Sequence, residues 1–143
     1  ALAEVPTRQL DSLGPSGVST DADPGDVASA DLVVDALLGY SGRGAPRGRM
    51  AELAEASHGR KVLALDSPTG LELATGAVPG VHVRADVTMT LALPKDGLRA
   101  PQAGPLVGRL LLADISVPAA VYDRMGLAYT SPFGDATVVE LGS

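Results

Sequence analysis

The apolar positions of this chain fall into short, dense runs separated by glycine- and proline-bearing stretches. Residues 31–38 (Asp31-Leu32-Val33-Val34-Asp35-Ala36-Leu37-Leu38) are apolar in nearly every position and end at Gly39. Such a run predicts a strand covered on both faces rather than one with a wet side. Residues 61–66 (Lys61-Val62-Leu63-Ala64-Leu65-Asp66) predict a second buried strand, ending in Ser67-Pro68-Thr69-Gly70. Residues 85–93, partly alternating through Val87, Met89 and Leu91, predict a third that Pro94 halts. Residues 108–115 predict a fourth, and residues 137–141 a final edge strand. Helical spacing is confined to residues 49–58, where Met50, Leu53, Ala54 and Ser57 share a face, to a short helix over 119–125 after Pro118, and to another over 8–13. The stretch 71–83 reads as an irregular excursion, and 14–30, rich in Pro, Gly, Ser and Asp, as a loop.

Strand, loop, helix and strand in succession, with apolar strands, describe a parallel α/β sheet. One domain over residues 1–143 fits the length. In such sheets the binding crevice lies beyond the carboxyl ends of the strands. Asp35, late in one strand, and Asp66, at the tip of the next, are 31 residues apart. That is about the length of one βαβ unit, so both belong on the same rim.

Composition narrows the chemistry. With 45% hydrophobic residues but only 3% aromatic ones, the core must be built from Val, Leu and Ala. A formal charge of −6 disfavours nucleic acid or an anionic membrane as partner. No stretch approaches the roughly 20 apolar residues of a membrane span. The absence of Cys excludes a disulfide scaffold, a thiolate zinc site and a Cys nucleophile. His58, at a helix end, and His82, in the excursion, read as structural or solvated. Ser41 and Ser67 have no His partner nearby and no G-x-S-x-G elbow, which argues against serine-hydrolase chemistry. A cytoplasmic enzyme domain is the expected class.

Several residues carry two readings. Asp35 interrupts an apolar run, so it is either an oxygen ligand for a cation or polar ligand, or a carboxylate accepting N–H groups of the following loop. Gly39, Tyr40, Ser41, Gly42, Arg43, Gly44 and Ala45 form a loop between strand and helix. It could cradle a phosphate, with Arg43 or Arg47 reaching it, or serve only as a connector. Asp66, at a strand tip before Pro68, is a general acid/base or the start of an Asx turn. Thr69 offers oxygens as ligands. Lys95, after Pro94, either meets a phosphate, balances the two Asp residues or is a solvated turn residue.

Five strings go beyond this generic pattern: Asp31-Leu32-Val33-Val34-Asp35-Ala36-Leu37-Leu38-Gly39, Leu63-Ala64-Leu65-Asp66-Ser67-Pro68-Thr69-Gly70-Leu71, Arg84-Ala85-Asp86-Val87-Thr88-Met89-Thr90, Pro94-Lys95-Asp96-Gly97-Leu98 and Leu112-Ala113-Asp114-Ile115-Ser116-Val117-Pro118. In this order they resemble the NAD(P)H-hydrate epimerase family, the YjeF N-terminal type of domain. The resemblance implies a Rossmann-like, three-layer αβα fold with a mostly parallel sheet. It also implies interconversion of the R and S epimers of NADHX and NADPHX, hydrates with a hydroxyl on the nicotinamide ring. By position, Asp66 resembles the family's substrate-contacting Asp, and the loop Gly39 to Ala45 the segment around the hydrate's phosphates, with Lys95 on the same rim. Asp35 resembles a potassium ligand, and Thr69 stands where the family more often has Ser as another, giving one K+ per subunit. A homodimer and a dehydratase domain, fused or separate, are the partners this implies. The alternative is a non-catalytic nucleotide-binding or interaction module of the same fold.

The family's first βα unit, with its Asn- and Gly-rich loop, has no counterpart here. The fold is therefore expected to be incomplete at its N-terminal side, with residues 1–5 as the tail of the second family strand. A start without Met predicts a start in mid-polypeptide, and the missing unit predicts either a piece of a longer product or a shortened homologue.

Overall fold

The computed structural model describes residues 4–40 and 42–142. Five strands, β1 (Val33–Asp35), β2 (Val62–Leu65), β3 (Val87–Leu91), β4 (Arg109–Ala113) and β5 (Val138–Glu140), form one sheet in chain order. The first three pairings are parallel and β4–β5 is antiparallel. The mostly parallel α/β sheet expected from the apolar runs is thus present, with the predicted edge strand closing one side.

Helices α1 (Glu4–Leu13) and α2 (Pro24–Ser29) precede the sheet, α3 (Arg49–Ala56) links β1 to β2, and α4 (Gly104–Val107) and α5 (Ala119–Arg124) flank β4. Two expectations for the N-terminal region need correction. Residues 1–5 were expected as a strand tail, yet Glu4 and Val5 open α1, while the first three residues lie outside the described ones. Pro6 is tolerated because its missing N–H falls in the first turn, where no intrahelical acceptor is needed. Arg8 also pairs with Glu4 at 2.5 Å, one turn apart. Within the loop expected over 14–30, α2 forms at the acidic run itself. Asp23 accepts from Gly25 N at 2.6 Å and Asp26 N at 3.1 Å, while Asp26 accepts from Asp23 N at 2.8 Å. The same Asp-Pro-Gly-Asp that signals a turn is a capping box with Pro at the first helical position.

In-register pairing puts Val33, Asp35, Val62, Ala64, Thr88, Thr90, Leu110 and Leu112 on one face of the sheet. All but the half-buried Val33 are buried. Ala54 of α3 packs here with Val62, Ala64, Val83 and Ala85, and the excursion closes the rest with Leu71 and Leu73 against Leu98, Val107 and Leu110. On the opposite face Leu63, Leu65, Val87, Met89, Leu91 and Leu111 are half-buried. The expectation of a first strand covered on both faces fails at β1. It spans only three residues at the edge of the described sheet, with β2 as its single neighbour, and Val34, on the face opposite Val33 and Asp35, is 50% exposed.

Arg109 and Glu140 clamp β5 to β4 through paired contacts of 3.2 Å and 2.8 Å. The hydrogen bonds and charge of Arg109 hold the Glu140 carboxyl below the usual carboxylate range. A depressed carboxyl contributes stability that is present above its unfolded-state pKa and is lost as pH falls through the folded one. Melting temperature followed from neutral to acidic pH is therefore expected to decline less steeply for Glu140→Gln than for the wild type. Superimposable pH profiles would show that the clamp adds nothing.

Candidate active site

The site is built at the carboxyl ends of β1, β2 and β3, where the crevice rule directs attention. Asp66 follows β2 and continues its ladder, its N–H donating to Met89 O at 2.8 Å. Its φ of 68° is left-handed, a conformation that Asp tolerates better than most residues. The chain thereby turns out of the sheet and presents the carboxylate at the tip. Oδ2 accepts the Tyr40 N–H at 3.0 Å from the loop after β1, and Oδ1 pairs with the Lys95 ammonium. Neither partner is local, so the Asx-turn alternative does not describe Asp66. Gly39 leaves room for this arrangement: a Cβ there would sit a tight 3.2 Å from Asp66 Oδ2.

Asp66 opens onto a cavity of about 810 Å³ lined also by Tyr40, Leu73, Pro94, Lys95, Met125 and Leu127. The volume suits a ligand of nucleotide size. Its walls are mainly apolar, leaving Asp66, Lys95 and Asp96 as the charged groups.

Asp35 is 3% exposed and meets Thr69, which is fully buried. Thr69 donates its N–H to Oδ2 at 2.7 Å and its hydroxyl to Oδ1 at 2.8 Å, and Leu37 N approaches Oδ1 at 3.3 Å. Two of the three donors therefore come from the turn after β2 and the third from Leu37 directly after β1, none of them from the glycine loop. Val83 N in turn donates to Thr69 O at 2.8 Å, tying the excursion to this turn. Gly70, with φ of 93°, permits that approach: a Cβ would stand 2.8 Å from His82 Cα. Among the described residues no Lys, Arg or His forms an ion pair with Asp35. The burial of Asp35 is compensated by the hydrogen bonds from Thr69 and Leu37 rather than by a cationic side chain, and the side-chain ligand atoms gathered here are all oxygens. Asp35 and Asp66 thus share a rim on adjacent strands, as their spacing predicted, but they line different cavities. Asp35 faces a separate one of about 120 Å³.

The loop after β1 borders a further cavity of about 610 Å³ lined by Gly42, Arg43, Gly44, Ala45 and Arg47. Gly42 N closes a tight turn onto Gly39 O at 2.9 Å, and Arg43 turns its guanidinium back onto the carbonyls of Tyr40 and Gly42. Gly44 N reaches the Glu72 carboxylate at 3.3 Å, so one loop amide already faces an anionic oxygen. Ser41, expected to belong to this loop site, lies outside the described residues. His58 and His82 bond to backbone carbonyls at 3.0 Å and 2.9 Å, in keeping with structural roles.

Three contributors escaped the sequence reading. Thr90 is fully buried on the sealed face and accepts from Lys95 at 2.9 Å; its signal was a hydroxyl repeating at every second position of an apolar strand. Glu72 and the apolar wall from Leu73, Met125 and Leu127 come from irregular segments, whose path periodicity does not reveal.

Residues 4–97 match the family model described as YjeF-related protein N-terminus. A protein named NAD(P)H-hydrate epimerase from Dehalogenimonas lykanthroporepellens is 43% identical over 98% of this chain and 57% of its own length. Another of that name, from Truepera radiovictrix, is 45% identical over 88% of this chain and 52% of its own. The Bifunctional NAD(P)H-hydrate repair enzyme Nnr of Hyperthermus butylicus is 48% identical over 69% of this chain and 19% of its own. The chain therefore spans little more than half of these epimerases and a smaller share of the bifunctional protein. Among solved structures, yeast ynu0 superposes with a TM-score of 0.70 at 15% identity, over 97% of this chain and 61% of the yeast chain, which supports the fold.

The Asp35–Thr69 arrangement generates a stability prediction. Asp35→Asn sets an amide N–H₂ against one of three donors and is expected to lose about 1–3 kcal/mol in urea denaturation. Thr69→Ser, which keeps both donors, is expected to lose less. Equal losses, or an Asn variant as stable as the wild type, would refute the assignment of these bonds.

Proposed function

This chain belongs to the family of the YjeF-related protein N-terminus, and we propose that it is an NAD(P)H-hydrate epimerase domain. The reaction is an isomerisation interconverting the R and S forms of NADHX and NADPHX. One observation carries this reading: the Asp66 carboxylate is held from both sides at a strand tip facing a cavity of about 810 Å³. The names of the most similar relatives agree with it.

The chemistry asks little more of the protein than this. The hydroxyl of the hydrate sits on a ring carbon beside a nitrogen, whose lone pair can expel it. Asp66 in its acid form donates a proton to the departing hydroxyl, which leaves as water and gives a planar, cationic ring. Water then adds to the other face, and the Asp66 carboxylate takes up its proton. Atoms and protons balance, and no oxidant or reductant is needed. A carboxylate has about four lone-pair positions; Tyr40 and Lys95 use one on each oxygen, leaving room for a proton in flight. The apolar wall of Leu73, Met125 and Leu127 favours a flat ring and limits bulk water.

The loop from Gly39 to Ala45 would receive the phosphates, with Arg47 at the border of its cavity. Asp35 and Thr69 would hold one K+ per subunit, a reading supported by a buried carboxylate with no cationic side chain beside it and by the all-oxygen side-chain set. Bound there, the ion would offset the negative charge of the Asp35 carboxylate. A cytoplasmic setting, a homodimer and a dehydratase domain that consumes the S hydrate complete the proposal; the bifunctional relatives favour the last. No helix among the described residues is long and apolar enough to cross a membrane.

The test uses the full-length protein and separated R and S hydrates. Wild-type protein is expected to epimerise both, and Asp66→Asn, which fits the left-handed turn, to be slower by about 10²–10⁴-fold. An Asn variant at the wild-type rate would remove Asp66 from the reaction. Wild-type protein that binds the hydrates without converting them would make the domain a binding module.

A further inference from the structure

Lys95 was expected at the rim as a contact for a phosphate or a counter-charge for Asp35 and Asp66. Its hydrogen bonds choose between these roles. An ammonium carries three N–H donors and no acceptor. One goes to Asp66 Oδ1, a second to Thr90 Oγ1 at 2.9 Å and the third to Leu91 O at 2.8 Å. All three are used inside the protein, and none is left for a phosphate oxygen. The Lys95 and Asp66 side chains are 14% and 16% exposed, so water loosens the pair little.

We propose that Lys95 is a positioning residue for Asp66 and not a phosphate ligand, an inference that rests on Asp66 being the acid/base of the reaction above. Thr90 is fully buried on β3 and Leu91 O belongs to the same strand, so the ammonium is fixed to the sheet. The ammonium fixes Oδ1 while the Tyr40 N–H fixes Oδ2. Two anchors on two oxygens set the plane of the carboxylate, and with it the direction of its free lone pairs into the cavity. Without Lys95, Asp66 keeps one anchor and can rotate about its side-chain bonds. Arginine does not replace it: a planar fork of donors cannot converge on a carboxylate, a hydroxyl and a carbonyl as a tetrahedral ammonium does.

The experiment combines steady-state kinetics on both hydrates with calorimetric titration by NADPH, on the full-length protein. Lys95→Met is expected to lower kcat by about 10²-fold, the scale of a misplaced catalytic group. KM and NADPH affinity are expected to stay within about twofold of wild type, as for a residue with no ligand contact. Lys95→Arg is not expected to restore kcat. Thr90→Val, which removes the ammonium's acceptor outside the cavity lining and preserves shape, is expected to lower kcat less and in the same direction. It keeps the test decisive if circular dichroism shows Lys95→Met unfolded. Added to Asp66→Asn, Lys95→Met is expected to slow the enzyme no further, because both act through one carboxylate. A raised KM or weakened NADPH binding with kcat intact would overturn the proposal and make Lys95 a ligand contact. Full additivity with Asp66→Asn, or a Thr90→Val variant at wild-type kcat, would overturn it as well. If Asp66→Asn is slow and Lys95 fails these tests, the epimerase reading stands alone; if wild-type protein converts neither hydrate, both fall.

Discussion

A carboxylate held in a left-handed turn is the constraint on which the site depends. β2 could have continued past Leu65, but Asp66 bends away with φ of 68° while its N–H remains bonded to Met89 O of β3. The backbone is tied to one neighbouring strand, one side-chain oxygen to the loop beyond the other, and the second oxygen to Lys95. Residues from β1, β2 and β3 connections therefore meet on one side chain. Left-handed backbone at a non-glycine residue costs on the order of 1–3 kcal/mol and persists only where the surroundings over-determine it. Ala92 (φ 64°) and Ser116 (φ 61°) adopt the same conformation just beyond β3 and β4, so this rim concentrates the positive-φ non-glycine residues of the chain's described part.

The sealed face of the sheet supplies the stiffness behind that turn. Along it, carboxylate and hydroxyl groups stand among apolar neighbours, and each has a partner: Asp35 with Thr69, Thr88 with Val107 O at 2.7 Å, Thr90 with Lys95. Among the described residues no buried side-chain nitrogen or oxygen lacks a hydrogen bond. In a low-dielectric interior such pairs hold specific distances where aliphatic packing would permit sliding. The Asp35–Thr69 pair locks the end of β1 to the turn after β2, and Lys95 locks the turn after β3 back to Asp66. Three consecutive strand ends are thereby coupled without a helix between β2 and β3.

How far this could be read from the sequence depended on which signals are local. Apolar runs bounded by Gly or Pro located each strand to within a few residues, and the 31-residue spacing placed Asp35 and Asp66 on adjacent strand ends. Asp23-Pro24-Gly25-Asp26 misled because turns and helix starts use the same residues for the same hydrogen bonds. The contraction of residues 31–38 to a three-residue β1 could not be foreseen, since an apolar run does not state how many neighbours its strand will have. Nor could the separation of Asp35 and Asp66 into two cavities, which depends on the path of the glycine loop and the excursion. Thr90 stayed hidden because its importance lies in a partner that the turn after β3 brings back to it.

The most direct measurement is a crystal structure of the full-length protein soaked with NADPHX. Electron density for the hydrated nicotinamide ring is expected in the cavity bordered by Asp66, Leu73 and Met125, with its hydroxyl within hydrogen-bond reach of an Asp66 oxygen. Density for the ring elsewhere, or with its hydroxyl beyond hydrogen-bond reach of both Asp66 oxygens, would contradict the role of Asp66 as acid/base.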